Sequence, residues 1–149
     1  MILGQILAAW FYSHIFEYIA HRYVLHSHKN FKYAFKHHFS QHHGISRKNE
    51  MYDVNYEKLI SSWFEILALS MIVVLHFPLW FFFPYAYVTL VFAMIAYYAL
   101  HKKAHTNVEW GKKYLPWHYD HHMGKNQHLN WGVRLPIMDY IVGTRVKSP

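Results

Sequence analysis

Histidines are concentrated in four short clusters of this sequence, where their ring nitrogens could bind metal ions. The clusters are HRYVLH (His21 and His26), HFSQHH (His38, His42 and His43), HKKAH (His101 and His105) and HYDHH (His118, His121 and His122). Imidazole is a good ligand for iron, copper, nickel and zinc, whereas magnesium and calcium prefer oxygen ligands. The chain has no cysteine, which excludes thiolate metal sites, disulfides and cysteine nucleophiles. The clusters therefore predict a metal centre built on histidine.

The spacing within the clusters indicates which imidazoles can converge. Residues three or four apart share one face of a helix, and the pairs with that spacing are His38/His42, His101/His105, His118/His121 and His118/His122. His21 and His26 are five residues apart, so they need a helix end or a local distortion to meet. Ten imidazoles exceed the needs of one tetrahedral zinc or one octahedral iron, which favours two metals. Two adjacent redox metals can activate dioxygen, whereas zinc has no redox chemistry.

Three apolar segments must position these clusters. They run over residues 2–20, 60–77 and 85–100, and the prolines of FPLWFFFP at positions 77–84 predict a break between the second and the third. Only 15% of the residues are charged, compared with about 25% in an average soluble domain. Helices of this length reach roughly 24 to 28 Å, close to a hydrocarbon core of about 30 Å. The pattern predicts an all-α integral membrane protein with about three transmembrane helices.

The distribution of basic residues predicts how these helices are oriented. Every Lys and Arg falls within residues 22–58 or 102–147, and such blocks remain on the cytosolic side. The N-terminus and the 77–84 hairpin then lie on the opposite side, and a cytosolic helical cap contains the histidine clusters. Because the basic residues follow membrane topology, nucleic acid is not an expected partner. The alternative is a soluble helical bundle with unusually apolar helices.

Three of the clusters resemble the histidine boxes of a known family. HRYVLH, HFSQHH and HYDHH are similar to the boxes of the fatty acid hydroxylase superfamily, the membrane di-iron enzymes that include sterol desaturases, fatty acid 2-hydroxylases and carotenoid hydroxylases. NWGVRLPIMDYIVGT, at residues 130–144, resembles the stretch that follows the last box in that family. The resemblance covers nearly the whole chain and implies a single domain over residues 1–149. By this resemblance the ligands of two iron ions would be His21, His26, His38, His42, His43, His101, His105, His118, His121 and His122.

The resemblance also implies a reaction and its partners. A fatty acyl, sterol or carotenoid lipid would be hydroxylated with O2 as co-substrate, and a separate electron donor of the ferredoxin or cytochrome b5 type would supply electrons. Zinc could replace iron in a purified sample, because imidazole sites prefer zinc to ferrous iron. The chain is closer in size to the carotenoid hydroxylases than to the sterol and fatty acid branches. Its C-terminal turn, however, is more similar to that of the other branches. The alternatives are a lipid desaturase of the same superfamily and a non-enzymatic membrane metal-binding protein.

Four further residues are candidates to support the ligands: Glu17, Asp120, His14 and His128. Glu17 lies four residues before His21, so it can share a helical face with it and accept a hydrogen bond that orients the ring. His128 is also considered as an extra ligand. His37 and His38 are adjacent, and only one of them is expected to face the metals. His28 and His76 receive no role.

Overall fold

The fold is all-α, which confirms that part of the prediction. The computed structural model describes residues 1–147, and no β-strand occurs within them. The helices are α1 (Ile2–Ile19), α2 (Lys32–Phe35), α3 (Gly44–Lys48), α4 (Trp63–Leu75), α5 (Leu79–Phe82), α6 (Pro84–Thr106), α7 (Val108–Tyr114), α8 (Pro116–Met123) and α9 (Ile137–Val142). The break predicted at residues 77–84 separates α4 from α6, and it contains only the short helix α5.

Helix α6 is the longest of these helices, and α1, α4, α5 and α7 contact it. It begins with Pro84 in its first turn, where the fixed φ of proline suits a helix start. Its 23 residues correspond to about 35 Å, and α1 packs along it. Within residues 1–147, α6 alone is both long and apolar enough to cross a membrane, while α4 is apolar but has 13 residues. One of the three predicted spans therefore meets this criterion.

The long helices expose large apolar side chains to their surroundings. Examples are Leu7 on α1 (57% exposed), Val74 (69%) and Leu75 (73%) on α4, and Phe92 (67%) on α6. Monomeric soluble proteins rarely expose contiguous apolar patches, and such patches mark sites for a protein or a membrane. The outer surface of this helical layer is thus suited to an apolar environment.

Two π-helical segments supply the distortion that the spacing of His21 and His26 requires. The first, Ala20–Leu25, continues α1, and the second, Lys36–His43, joins α2 to α3. A π-helix closes its hydrogen bonds between residues five apart, and the His26 amide donates to the His21 carbonyl oxygen at 3.2 Å. Residues five apart therefore share a face where a regular α-helix would separate them.

Candidate metal centre

Nine buried histidines form two groups of potential ligands. Group A contains His21, His26, His38, His43 and His121, and group B contains His42, His101, His105 and His122. In each group the available ligand atoms all lie within 4.8 Å of one another. The tenth predicted ligand, His118, lies beside group B, with its Nε2 atom 3.1 Å from Nε2 of His105. The structure thus brings nine of the ten residues together as two groups, with the tenth at the edge of one.

The local helix geometry determines which group each histidine joins. In the second π-helix, His38 and His43 are five residues apart and both join group A, whereas the intervening His42 joins group B. On α6, His101 and His105 are four residues apart and point to group B together. On α8, two adjacent histidines divide between the groups. The groups therefore share two helices and lie side by side.

The separation of the groups is small. The rings of His43 and His122, which belong to different groups, stack at 4.0 Å between centroids. The rings of His42 and His43 are 5.7 Å apart. Two metal ions held by these groups would therefore be neighbours.

Unpaired buried nitrogens test whether metals fit these residues. Among the described residues, Nε2 of His42, His101 and His121 has no hydrogen-bond partner, and neither ring nitrogen of His26 or His122 has one. A buried polar atom without a partner is unfavourable and uncommon in folded proteins. A metal ion would remove part of this deficit, because each neutral imidazole carries one lone pair that can bind metal.

The spacing of the other ring nitrogens agrees with shared ligation. Nε2 of His38 lies 3.0 Å from Nε2 of His21 and 3.3 Å from Nε2 of His43. Nitrogens bound to one metal at about 2.1 Å are roughly 3 Å apart when the bonds are perpendicular. The all-nitrogen donor set suits iron, copper, nickel or zinc rather than magnesium or calcium. The residues therefore fit two transition-metal ions.

Backbone carbonyl oxygens orient three of the imidazoles. Nδ1 of His21 donates to the Trp131 oxygen at 2.6 Å, Nδ1 of His105 to the Met51 oxygen at 2.7 Å, and Nδ1 of His121 to the Leu129 oxygen at 2.7 Å. A carbonyl oxygen can only accept, so the proton is on Nδ1 and the Nε2 lone pair faces the group. This hydrogen bond fixes the tautomer of a metal-ligating histidine.

Two carboxylates orient group B, and the sequence interpretation did not include them. Asp53 accepts from Nδ1 of His42, and Glu65 accepts from Nδ1 of His101, each at 2.7 Å. Tyr56 donates to the second Glu65 oxygen at 2.5 Å. Glu65 did carry a signal in the sequence, since it is the one acid within an apolar helix, where an ionisable residue usually has a functional partner.

Burial lowers the pKa of several of these imidazoles. It lowers the pKa of His121 to about 3, even though its hydrogen bond to Leu129 acts in the opposite direction. Burial and repulsion from neighbouring imidazoles lower the pKa of His38, His43 and His122 well below its usual value. Metal ligation requires neutral histidine, so these rings are in the ligating form at neutral pH.

The candidates predicted to support the ligands have other partners. The Glu17 carboxylate does not bond to a histidine but accepts from the amides of Val133 and Arg134 at 2.5 and 3.1 Å and from Nε of Arg134 at 2.6 Å. Asp120 forms an ion pair with Arg145 at 3.0 Å. Each carboxylate lies opposite a guanidinium, a stronger donor than a neutral imidazole.

The remaining histidines lie outside the two groups. His14 is buried against Trp10, with 4.7 Å between ring centroids. His128 is exposed, and its ring lies 5.7 Å from that of His26. His38 joins group A, whereas His37 stacks on Phe64 at 4.6 Å.

A loop held by two buried carboxylates positions His21. Asp139 accepts from the amides of Trp131 and Gly132, each at 2.8 Å, and Glu17 accepts from the next two amides. Four successive backbone N–H groups therefore donate to two carboxylates. The carbonyl oxygen of the first of these residues, Trp131, accepts the hydrogen bond from Nδ1 of His21. Glu17 thus acts on His21 through this loop and not by direct contact.

A cavity of about 1000 Å³ leads from the apolar helices to the histidines. Its cap end is lined by His21, His38 and His42, and its other end by Ile72 and Leu75 of α4. Side chains of α1 and α6, including Phe16, Met94 and Tyr97, form part of the wall. An elongated apolar molecule could enter along α4 and reach both histidine groups.

Comparison with known proteins gives one match. The model of the fatty acid hydroxylase family matches residues 6–144, which include all four histidine clusters. No curated protein sequence and no solved structure matches the chain significantly.

Proposed function

The chain belongs to the fatty acid hydroxylase family, and from this premise we propose that it is a membrane-bound di-iron oxygenase that hydroxylates a lipid. The proposal is carried by one observation: a largely apolar cavity ends at two adjacent groups of buried histidines. The lipid would be a fatty acyl, sterol or carotenoid molecule.

In the proposed membrane arrangement, α1, α4 and α6 span the bilayer and the histidine cap lies on the cytosolic side. The apolar side chains exposed on these helices favour contact with lipid. The basic residues of 22–58 and 102–147 favour a cytosolic cap, with the N-terminus on the opposite side. Helix α4 covers about 20 Å, so the hairpin around α5 would complete its passage.

The two groups would each hold one iron ion. The ligands of the first ion would be His21, His26, His38, His43 and His121. The ligands of the second would be His42, His101, His105 and His122, with His118 at the edge of that group. When bound, the iron ions would supply the redox chemistry that reduces dioxygen and removes hydrogen from the lipid. Asp53 and Glu65 hold the rings of His42 and His101 in the ligating orientation.

The overall reaction requires an external source of electrons. A substrate C–H bond and O2 combine with two electrons and two protons to give C–OH and water. A separate protein of the ferredoxin or cytochrome b5 type would supply the electrons. The lipid would lie along Ile72 and Met94, and its position in the cavity would determine which carbon lies at the histidine end.

The apolar lining has a second role. Phe16, Leu69 and Ile72 line the approach to the histidines and would exclude water once a lipid occupies the cavity. Exclusion of water strengthens the electrostatic interactions inside the site and prevents side reactions. In this mechanism the histidines hold metal and do not act as general bases.

The test is an aerobic assay with iron-loaded protein, a chemical reductant, a lipid extract and ¹⁸O2. We expect two iron ions per chain and a lipid product that contains one ¹⁸O atom. His121→Ala should abolish product formation, whereas His76→Ala should not, because His76 lies outside both groups and bonds to Tyr12. An unlabelled product with a new double bond would support a desaturase instead. Tightly bound metal with no product would support a non-enzymatic metal-binding protein.

A further inference from the structure

One exposed face of the cap lies directly over group A. His26 packs edge-on against Phe39, with 4.8 Å between ring centroids. Phe39 in turn stacks on Phe35 at 5.0 Å and on His128 at 5.7 Å. His128 is exposed, while Phe35 and Phe39 are half-buried. A layer only one or two rings thick therefore separates a group A ligand from solvent.

This face carries charge of a single sign. The two segments that contribute its rings, residues 18–49 and 121–138, contain no Asp or Glu. Four exposed lysines each lie within three positions, along the sequence, of a ring in the layer or of His28, which packs on Phe35. They are Lys29, Lys32, Lys36 and Lys125. We call these four lysines and the exposed rings of His28 and His128 the basic face.

Helices α7 and α8 differ from this face in charge. On α7 the exposed Lys112 pairs with Glu109 at 3.0 Å, which neutralises it locally. Asp120 on α8 and Glu109 interrupt the positive charge there. The uninterrupted positive charge thus coincides with the ring layer over group A.

We propose that the basic face is the docking site for an acidic one-electron carrier protein. This inference rests on the proposed function, since an oxygenase needs the two electrons that such a carrier delivers. Two successive encounters, each oxidising one carrier molecule by one electron, supply them, and the two protons come from water. A single-sign patch attracts a partner of opposite charge and raises its association rate.

Charge alone does not distinguish a protein from an anionic lipid surface, but the ring layer favours the protein. Phe39 touches both His26 and His43, with ring centroids 4.8 and 5.2 Å apart, so the face approaches the ligands themselves. A small, polar interface suffices, because electron-transfer complexes are typically transient and bury less than about 1,200 Å².

The first experiment measures binding without turnover. Full-length protein loaded with zinc, in neutral detergent, is titrated with an acidic [2Fe–2S] ferredoxin and with the acidic soluble domain of a cytochrome b5. The variant Lys36→Glu/Lys125→Glu is compared with Lys112→Glu/Lys113→Glu, which makes the same change in net charge on α7. We expect about a tenfold higher Kd for the first pair at low salt, because two attractive contacts become repulsive, and less than about a twofold change for the second. The difference should shrink as salt is added.

Three results would overturn the proposal. They are equal losses in the two variants, a failure of both carriers to bind the parent protein, and a loss of affinity for anionic phospholipid vesicles with carrier binding unchanged. The last result would assign the face to a lipid surface. Product formation with a chemical reductant separates this proposal from the proposed function: if it persists while carrier binding is insensitive to Lys36→Glu/Lys125→Glu, only the docking site fails.

Discussion

Asp139→Asn should weaken metal binding at group A and leave group B unchanged. The substitution keeps the shape of the side chain. Its Oδ1 atom can still accept from the Trp131 amide at 2.8 Å and from the Thr144 hydroxyl at 2.7 Å. The other oxygen, which now accepts from the Gly132 amide at 2.8 Å, becomes an NH2 group, so two donors face each other in a buried site.

The size of the effect follows from this single mismatch. An unsatisfied buried donor costs about 1–3 kcal/mol, and the loop can relieve it only by moving. That motion displaces the Trp131 carbonyl oxygen, which holds His21 at 2.6 Å. Loss of the group that orients a ligand histidine typically lowers metal affinity about 10- to 100-fold. Expressed as a free energy, this loss falls within the cost of about 1–3 kcal/mol for the unsatisfied donor.

The assay is a titration of metal-free protein with Co²⁺ in competition with a chelator. Parent protein should bind two ions, and in Asp139→Asn the affinity for one should fall about 10- to 100-fold with a changed visible spectrum. Asp120→Asn is the control, because Asp120 pairs with Arg145 and touches no amide of the 131–134 loop. Unchanged affinities in Asp139→Asn would refute the positioning role. Equal losses at both groups would also refute it and would indicate a general loss of folding.

Further predictions follow from single contacts. Asp53→Asn should lower Co²⁺ affinity at group B about 10- to 100-fold, measured by the same titration, because His42 loses the carboxylate that accepts its proton at 2.7 Å. Ile72→Trp should reduce product formation from long lipids in the ¹⁸O2 assay without changing the metal content, because Ile72 lines the cavity. Gly132→Ala should lower the free energy of unfolding by about 1–3 kcal/mol in thermal denaturation, because an added Cβ would lie 2.4 Å from the Leu135 carbonyl oxygen. A melting temperature within error of the parent would contradict this last prediction.

The sequence was sufficient to predict the all-α fold, the family and the histidines of the candidate metal centre. Helical segments and the proline break follow from local patterns of apolar residues and from the fixed φ of proline. The four clusters identified ten histidines, all of which are buried, because ligand spacing along a helix is a local property. The five-residue spacing of His21 and His26 even indicated that a distortion was needed.

Only the tertiary structure decided how these residues are combined. Adjacent histidines such as His42 and His43 belong to different groups, since neighbouring residues of a helix point in different directions. Which neighbours a side chain then meets depends on how α6 and α8 pack. Asp53 and Glu65 reach His42 and His101 over separations of 11 and 36 residues, and no local pattern encodes such pairs.

Glu17 illustrates the same limit. Its spacing from His21 is correct for a shared helical face, yet its carboxylate bonds to a loop 116 residues away. The backbone amides of that loop and the guanidinium of Arg134 need partners once they are buried, and this need arises only when the chain has folded. The sequence determined which side chains could bind metal, and long-range burial determined which groups orient them.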